Sequence, residues 1–138
     1  MGNKRHILDI RGWLEIREEL SQELERFLDQ PLCINSDHDP SEEDLVFIHK
    51  GWSTHLVNNG NSYFFSYLYY GGNIYEDNLP YFLNVIAILA DRFNYWDGPL
   101  RVYPTGEFVV EEGEGQWVRR WRAEDGKVTE QMNNQSQP

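Results

Sequence analysis

The residue types best suited to metal chemistry are the chain's four histidines. His38 stands between Asp37 and Asp39, and His49 or His55 could complete a ligand set around an ion such as zinc. However, no two histidines have the i, i+4 spacing of a helical metal motif, and no cysteine pair is present. We therefore predict that these side chains belong to a solvated loop and that the chain holds no metal.

Adjacent carboxylates occur in Glu42-Glu43-Asp44 and in Glu111-Glu112. General acid–base catalysis needs two carboxylates in different environments, so that their pKa values separate. Runs of neighbouring acids on loops bounded by glycine or proline are more typical of solvated surface. The chain also lacks the nucleophile-elbow, phosphate-loop, dinucleotide-binding, HExxH and CxxC motifs. We predict no enzymatic activity and no cofactor; the alternative is a small enzyme whose reactive residues are scattered along the chain.

The charge balance narrows the classes of partner. Twelve Lys and Arg against 23 Asp and Glu give a formal net charge of −11. Nucleic-acid phosphates and anionic lipid surfaces both attract basic proteins, so neither is an expected partner here. A basic protein would instead be attracted and steered into contact. A surface that is acidic for solubility alone is the alternative interpretation.

Hydrophobic periodicity in the first half predicts a strand followed by a helix. Residues 7–17 alternate with a period of two, which is typical of a strand with one buried face. Leu20, Leu24, Phe27 and Leu28 then follow helical spacing, and Pro31 ends that helix. Three further strands are predicted, at Leu32 to Asn35, at Leu45 to His49 with an extension to Leu56 left open, and at Tyr63 to Tyr70. The predicted connections are an acidic loop over residues 37–44, a turn at Asn59-Gly60-Asn61, and a strand end at Gly71-Gly72-Asn73.

The second half predicts one strongly apolar helix and several short strands. Asn78 is the expected helix cap and Pro80 lies in the first turn. Strands follow near Leu100 to Tyr103, Phe108 to Val110 and Trp117 to Ala123, with turns at Asp97-Gly98-Pro99, Gly113-Glu114-Gly115 and Glu124-Asp125-Gly126. The sequence thus predicts an α+β fold, a largely antiparallel sheet of about five to seven strands with two helices on one face. We expect a single domain over residues 1–130 and a disordered polar tail over 131–138.

Compartment is indicated by cysteine usage and by the N-terminal residues. Cys33 is the single cysteine, so no intrachain disulfide can form, and its neighbours Leu32 and Ile34 favour a buried apolar role. The first residues contain no apolar run of the length that a signal peptide or a membrane span needs. A cytoplasmic location is expected.

Two segments together resemble a known family. One is Arg11-Gly12-Trp13-Leu14-Glu15-Ile16-Arg17-Glu18; the other is Trp117-Val118-Arg119-Arg120-Trp121-Arg122 followed by Gly126-Lys127-Val128-Thr129-Glu130. In this order the chain resembles the immunity protein 7 family of bacterial polymorphic-toxin systems. Gly98-Pro99-Leu100-Arg101-Val102 also stands where that family places a strand before its closing hairpin.

The resemblance implies an intracellular antidote that binds a cognate toxin domain and blocks it. Immunity proteins of this kind commonly face nucleases, whose substrate sites are basic, so the toxin is expected to be a basic protein. A non-immunity adaptor, an acidic inhibitor of a basic protein and a structural homodimer are the alternatives; a monomer is favoured. Acidic loops and aromatic side chains beside them are the predicted partner-binding residues: Asp37, Asp39, Glu42, Glu43, Asp44, Tyr69, Tyr70, Tyr75, Trp96, Glu111, Glu112 and Glu114.

Overall fold

The central strand of the fold is the predicted N-terminal one. A computed structural model describes residues 6–17, 20–29, 40–56, 65–113 and 116–133. Strand β1 spans Ile7–Arg17, and its alternate residues Leu8, Ile10, Leu14 and Ile16 are buried. The opposite residues of β1 face away from the core, so the two-residue period predicted from the sequence is confirmed.

The main sheet has six strands in the order β2-β3-β1-β6-β7-β8, and all neighbours are antiparallel. Its strands besides β1 are β2 (Trp52–Leu56), β3 (Phe65–Tyr75), β6 (Thr105–Glu112), β7 (Gln116–Glu124) and β8 (Lys127–Met132). A separate two-stranded hairpin joins β4 (Tyr95–Asp97) to β5 (Leu100–Val102). The predicted α+β class with a largely antiparallel sheet is confirmed.

The helices lie on one face of the sheet. Helix α3 (Leu79–Arg92) packs its apolar side there, and the Phe82 ring lies 4.6 Å from Tyr70, 5.5 Å from Trp52 and 6.0 Å from Trp121, measured between ring centroids. Helix α1 (Ser21–Leu28) packs Phe27 against Phe93 at the end of α3. The other face of the sheet, which we call the open face, carries the outward side chains of the same strands.

The described residues contain a third helix, and the predicted strand at Leu45 to His49 is wrong. Helix α2 spans Glu42–His49, and the Ser41 hydroxyl accepts a hydrogen bond of 3.2 Å from the Asp44 backbone N–H. This is the side-chain cap that Ser provides before a helix, and the acids of the first turn favour its positive end. Leu45 and Ile48 are buried three residues apart, as helical spacing requires. Part of the predicted acidic loop is therefore the start of a helix.

One predicted strand boundary is also corrected. Strand β3 does not end at Gly71-Gly72-Asn73 but continues to Tyr75, because β1 pairs with it along its whole length, from Arg17 opposite Phe65 to Ile7 opposite Tyr75. Strand β8 spans Lys127–Met132 and closes one edge of the sheet. The predicted turn before β8 is confirmed, with positive φ angles of 55° at Asp125 and 79° at Gly126.

Several predictions fall outside the described residues. These are the helix end at Pro31, the strand at Leu32 to Asn35 with Cys33, the turn at Asn59-Gly60-Asn61, and the tail from residue 134 onward. Among the helices that are described, none has the length and apolar character needed to cross a lipid bilayer.

Candidate protein-binding surfaces

One end of the sheet gathers several carboxylates. Strand β1 begins there beside the ends of β3 and β6, since Ile7 is opposite Tyr75 and Asp9 is opposite Glu111. The imidazole of His6 contacts two carboxylates at this end, with Nδ1 2.7 Å from Glu76 Oε2 and Nε2 3.1 Å from Glu112 Oε1. The hydrogen bond to Glu76, helped by the charge of Glu112, raises the pKa of His6 above its ordinary value.

Helix α2 is joined to the same end. A short 3-10 helix, Glu76–Asn78, follows β3, and Asn78 Nδ2 donates a hydrogen bond of 2.9 Å to Asp44 Oδ2. The first turn of α2 is thereby held beside the residues that contact His6. We call this group the acidic cluster, and its members are Glu42, Glu43, Asp44, Glu76, Asp77 and Glu112.

The negative charge of the described residues belongs mainly to the helices. The three α-helices and the 3-10 helix contain eight acidic residues (Glu23, Glu25, Glu42, Glu43, Asp44, Glu76, Asp77 and Asp91) and two arginines (Arg26 and Arg92). The strands of the six-stranded sheet contain seven acidic residues (Asp9, Glu15, Glu107, Glu111, Glu112, Glu124 and Glu130) and six basic ones (Arg11, Arg17, Arg119, Arg120, Arg122 and Lys127). A basic partner would therefore be attracted more strongly to the helical side and to the acidic cluster than to the open face.

Helix α2 also presents apolar side chains to solvent. Phe47 is 52% exposed and Val46 is exposed as well, while Leu45 and Ile48 on the opposite side are buried. Glu42 and Glu43 lie one helical turn before Val46 and Phe47, so they share the exposed side of the helix. Exposed apolar side chains bordered by charges are typical of protein-binding surfaces.

The structure brings together some of the predicted partner-binding residues. Glu42, Glu43, Asp44 and Glu112 belong to the acidic cluster, and half-buried Tyr75 immediately precedes Glu76. Trp96 is 63% exposed in the β4–β5 hairpin, where the Arg101 guanidinium lies 5.3 Å from its ring centroid. Asp37, Asp39 and Glu114 lie outside the described residues.

Two of the predicted partner-binding residues have other roles. Tyr70 is 3% exposed, and its hydroxyl donates a hydrogen bond of 2.8 Å to the Ile48 carbonyl oxygen, so its prediction as a contact residue is wrong. Tyr70 is one of the alternate residues of β3 that face the core. The sequence prediction ended this strand at Gly71, whereas β3 continues past it. Glu111 forms an ion pair with Arg11 on the open face, so its charge is already neutralised there.

The open face carries an aromatic cluster that contains Tyr69, one of the predicted partner-binding residues, together with Trp13, which was not among them. Trp13 is 38% exposed and Tyr69 is 41% exposed, and the two are paired directly across β1 and β3. Tyr67 completes the cluster, with its ring centroid 6.5 Å from Trp13 and 6.1 Å from Tyr69. The alternation along β1 contained this signal, because Trp13 falls between Gly12 and Leu14, two positions that face the core.

A polar cleft bears on the enzyme alternative. Its volume is about 390 Å³, and its lining includes His49, Glu25, Asp29, Ser53 and Thr54. Across the ranges that the structure describes, no hydrogen bond or ion pair joins His49 to a carboxylate, and no group of three or more His, Cys, Asp or Glu side chains could hold a metal ion. The His55 side chain is not described. Among the described side chains, this cleft therefore contains no histidine paired with a carboxylate.

Taken together, these features define an acidic α+β domain with several surfaces suited to protein contact. A scan against protein-family models found no match to the chain, and searches of curated proteins and of solved structures found none.

Proposed function

We propose that this protein is an immunity protein that binds a cognate bacterial toxin domain and neutralises it. The observation that carries the proposal is the acidic cluster, which the contacts of His6 and Asn78 assemble at one end of the sheet. The resemblance of the β1 and β7–β8 segments to the immunity protein 7 family supports it. A cytoplasmic location belongs to the same proposal, because such an antidote acts inside the cell that makes it.

Charge complementarity gives the cluster its role. A nuclease toxin has a basic substrate site, and clustered carboxylates can occupy such a site in place of phosphates. Attraction between opposite charges raises the association rate by about 10- to 1,000-fold at low salt. Fast binding suits an antidote, because the toxin must be captured before it reaches its substrate.

The exposed side of α2 supplies apolar contact beside the charges. Phe47 and Val46 stand next to Glu42 and Glu43, so a partner attracted by the carboxylates meets apolar side chains at the same place. Burying such side chains contributes affinity that long-range charge attraction does not. The proposed toxin-binding surface is therefore the acidic cluster together with the exposed side of α2.

A non-immunity adaptor, or an acidic inhibitor of another basic protein, would use the same surface. Rescue of growth separates these candidates. The toxin domain encoded beside this gene is expressed in a bacterial host with and without this protein. We expect growth arrest by the toxin alone and rescue by co-expression, with the two proteins purifying as a complex. Continued arrest in the presence of soluble, abundant protein would refute the immunity function and leave the adaptor as the better candidate.

Charge reversal tests the surface. We expect the double variant Glu42→Lys/Glu43→Lys to associate with the purified toxin about tenfold more slowly at low salt, with a flatter dependence on ionic strength. The matched control is Glu23→Lys/Asp91→Lys, which makes the same change in net charge, from −11 to −7, on α1 and α3. Equal rates for the two variants would show that net charge alone, and not this surface, governs association.

A further inference from the structure

The open face contains a hollow beside its aromatic cluster. Gly71 lies there, and a Cβ atom added to it would meet no other atom within 4 Å. The depression has a volume of about 450 Å³, and Trp13, Tyr69, Arg11 and Glu107 are among the residues that line it. Without a side chain at Gly71, this part of the hollow is open to solvent.

The strand register places a carboxylate next to these rings. Trp13 on β1 is paired with Tyr69 on β3 at one side and with Glu107 on β6 at the other. Residues paired across neighbouring strands have Cβ atoms about 5 Å apart, so Glu107 is a direct neighbour of Trp13 on the open face. Trp13, Tyr69 and Glu107 therefore border the same hollow, together with the ion pair of Arg11 and Glu111.

Elsewhere in the chain, arginine side chains lie over several aromatic rings. Five arginine–ring contacts of 4.3–6.0 Å occur: Arg17 on Tyr95, Arg92 on Phe27, Arg101 on Trp96 and on Tyr103, and Arg120 on Trp117. Within the described part of the chain, no arginine or lysine lies over Trp13, Tyr67 or Tyr69. Among the described residues, the protein's own cations therefore leave this aromatic cluster uncovered.

The nearby charged groups leave the Glu107 carboxylate available. Arg11 is paired with Glu111, and Arg122, which is opposite Glu107 on β7, lies 3.7 Å from Glu124. Glu107 is exposed and has no ion pair among the residues that the structure describes. A cation that enters the hollow from outside would therefore find an unpaired carboxylate beside two rings.

We propose that this hollow is a docking site for an arginine side chain of the protein partner. A guanidinium is planar, so it can stack on the Trp13 and Tyr69 rings while its edge donates hydrogen bonds to Glu107. Its charge complements the carboxylate, and its flat shape fits a shallow hollow better than a hydrated ammonium does. The inference rests on the proposed function to the extent that the arginine belongs to a bound protein.

A peptide titration tests the site on this chain alone. The probe is the tripeptide Gly-Arg-Gly with blocked termini, added at millimolar concentration to isotope-labelled protein and followed by NMR. We expect the Trp13 indole N–H and the Gly71 amide signals to shift, and the peptide with citrulline in place of arginine to bind at least fivefold more weakly. Equal binding of the citrulline peptide, equal binding of a lysine peptide, or no shift at 50 mM would each overturn the arginine assignment.

Glu107→Gln removes the charge and preserves the shape of the side chain. We expect this substitution to weaken the binding of the arginine peptide at least fivefold. The matched control is Glu15→Gln, since Glu15 is on the same face but beyond Trp13, on the side away from Gly71. A control that weakens binding as much as Glu107→Gln would show a general charge effect and overturn the site.

A second pair of variants tests the hollow in the complex with the toxin. Gly71→Val places an isopropyl group in the hollow on a Cβ atom that meets no other atom within 4 Å, so we expect the fold to be at least as stable while the Kd for the toxin rises about tenfold. Thr105→Val, at an exposed position of β6, should leave the Kd within twofold. Rescue of growth with an unchanged Kd for Gly71→Val would overturn the arginine site and leave the immunity function intact. Failure of rescue by the wild-type protein would refute the function, and the peptide titration would still decide the site.

Discussion

The side-chain amide of Asn78 donates a hydrogen bond of 2.9 Å to the carboxylate of Asp44, across 34 residues of chain. Asn78 occupies the N-cap position of α3, as the sequence predicts, but its side chain makes no capping hydrogen bond there. It is instead buried and holds the first turn of α2 against the turn before α3. The placement of the acidic cluster therefore depends on this side-chain pair.

Replacing Asn78 by alanine tests that dependence. The variant removes the donor and leaves the Asp44 carboxylate with one fewer partner in a partly buried site. A hydrogen bond to a charged group contributes about 1.5–3 kcal/mol, so we expect Asn78→Ala to lower the free energy of unfolding by about 2 kcal/mol. Urea denaturation followed by tryptophan fluorescence measures the change.

Asn84→Ala is the matched control for this variant, because Asn84 lies on the exposed side of α3. Alanine is the better helix former, so the control should stay within about 0.5 kcal/mol of the wild type. Similar losses in the two variants would mean that the contact between Asn78 and Asp44 contributes nothing specific.

Two glycines on the strands that flank β1 should respond oppositely to alanine. A Cβ atom at Gly106 would collide with the Trp13 carbonyl oxygen and lie 2.9 Å from the Leu14 Cα, both of which are backbone atoms of the central strand. Because that backbone cannot move without breaking its pairing, we expect Gly106→Ala to cost about 3 kcal/mol or more, or to prevent folding.

Gly71→Ala is the comparison, since its Cβ would enter open space in a strand that glycine weakens. We expect a gain of about 0.5–1 kcal/mol in the free energy of unfolding. Circular dichroism during thermal unfolding ranks the two variants, and a stable Gly106→Ala would contradict the close approach of β6 to β1.

The sequence predicted those elements whose local pattern and tertiary burial agree. The alternation along β1 and the apolar stripe of α3 are of this kind. The prediction was wrong at α2, where Leu45, Val46, Phe47 and Ile48 form a continuous apolar run that reads equally well as strand or helix. Ser41 stands three residues before Asp44, which is the spacing of a helix N-cap. This spacing indicated a helix, because the Ser41 hydroxyl accepts from the Asp44 backbone N–H where a helix begins.

The candidate surface was predicted only in part, because the sequence shows which residues are charged but not which residues are neighbours in the fold. Acids in the first turn of α2 were identified from their run along the chain. Their link to Glu112 depends on the antiparallel pairing of three strand ends and on His6, which no local pattern indicates. For the same reason the sequence did not identify Trp13 as a surface residue, since a tryptophan on an amphipathic strand faces either side of the sheet according to the strand register.

The protonation of His6 should couple stability to pH. Its pKa is raised in the folded state, mainly by the hydrogen bond to Glu76, so the folded chain binds the proton more tightly than the unfolded chain does. The stabilisation is fully present below the unfolded-state pKa and is lost as the pH rises through the folded-state pKa. We therefore expect His6→Gln to lower the urea midpoint at pH 5.5 and to matter less at pH 8.

NMR titration of the His6 ring measures the cause directly. The wild-type pKa should lie above the ordinary histidine value, and Glu76→Gln should lower it. A Glu23→Gln variant, which changes an exposed acid on α1, should leave the titration of His6 unchanged. A His6 pKa that is insensitive to Glu76 would contradict the contact at 2.7 Å.

Tyr69 and Tyr70 are consecutive residues on opposite sides of β3. Substitution of one should therefore affect binding, and substitution of the other should affect stability. Tyr70→Phe removes the buried hydroxyl that donates to the Ile48 carbonyl oxygen, an atom that also accepts from the Gly51 N–H at 3.1 Å. Because that carbonyl keeps a partner, we expect a loss of about 1 kcal/mol in the free energy of unfolding and an unchanged affinity for the toxin.

Tyr69→Ala should do the reverse, since the side chain is half exposed on the open face and borders the hollow beside Gly71. Its removal takes little from the core, whose residues lie on the other side of the sheet, but it removes one of the two rings available to a partner's arginine. We expect the free energy of unfolding to change by less than about 1 kcal/mol and the Kd for the toxin to rise about fivefold or more. Calorimetric titration of both variants measures this. A Tyr70→Phe variant that binds worse than Tyr69→Ala would contradict a role for the open face in binding the toxin.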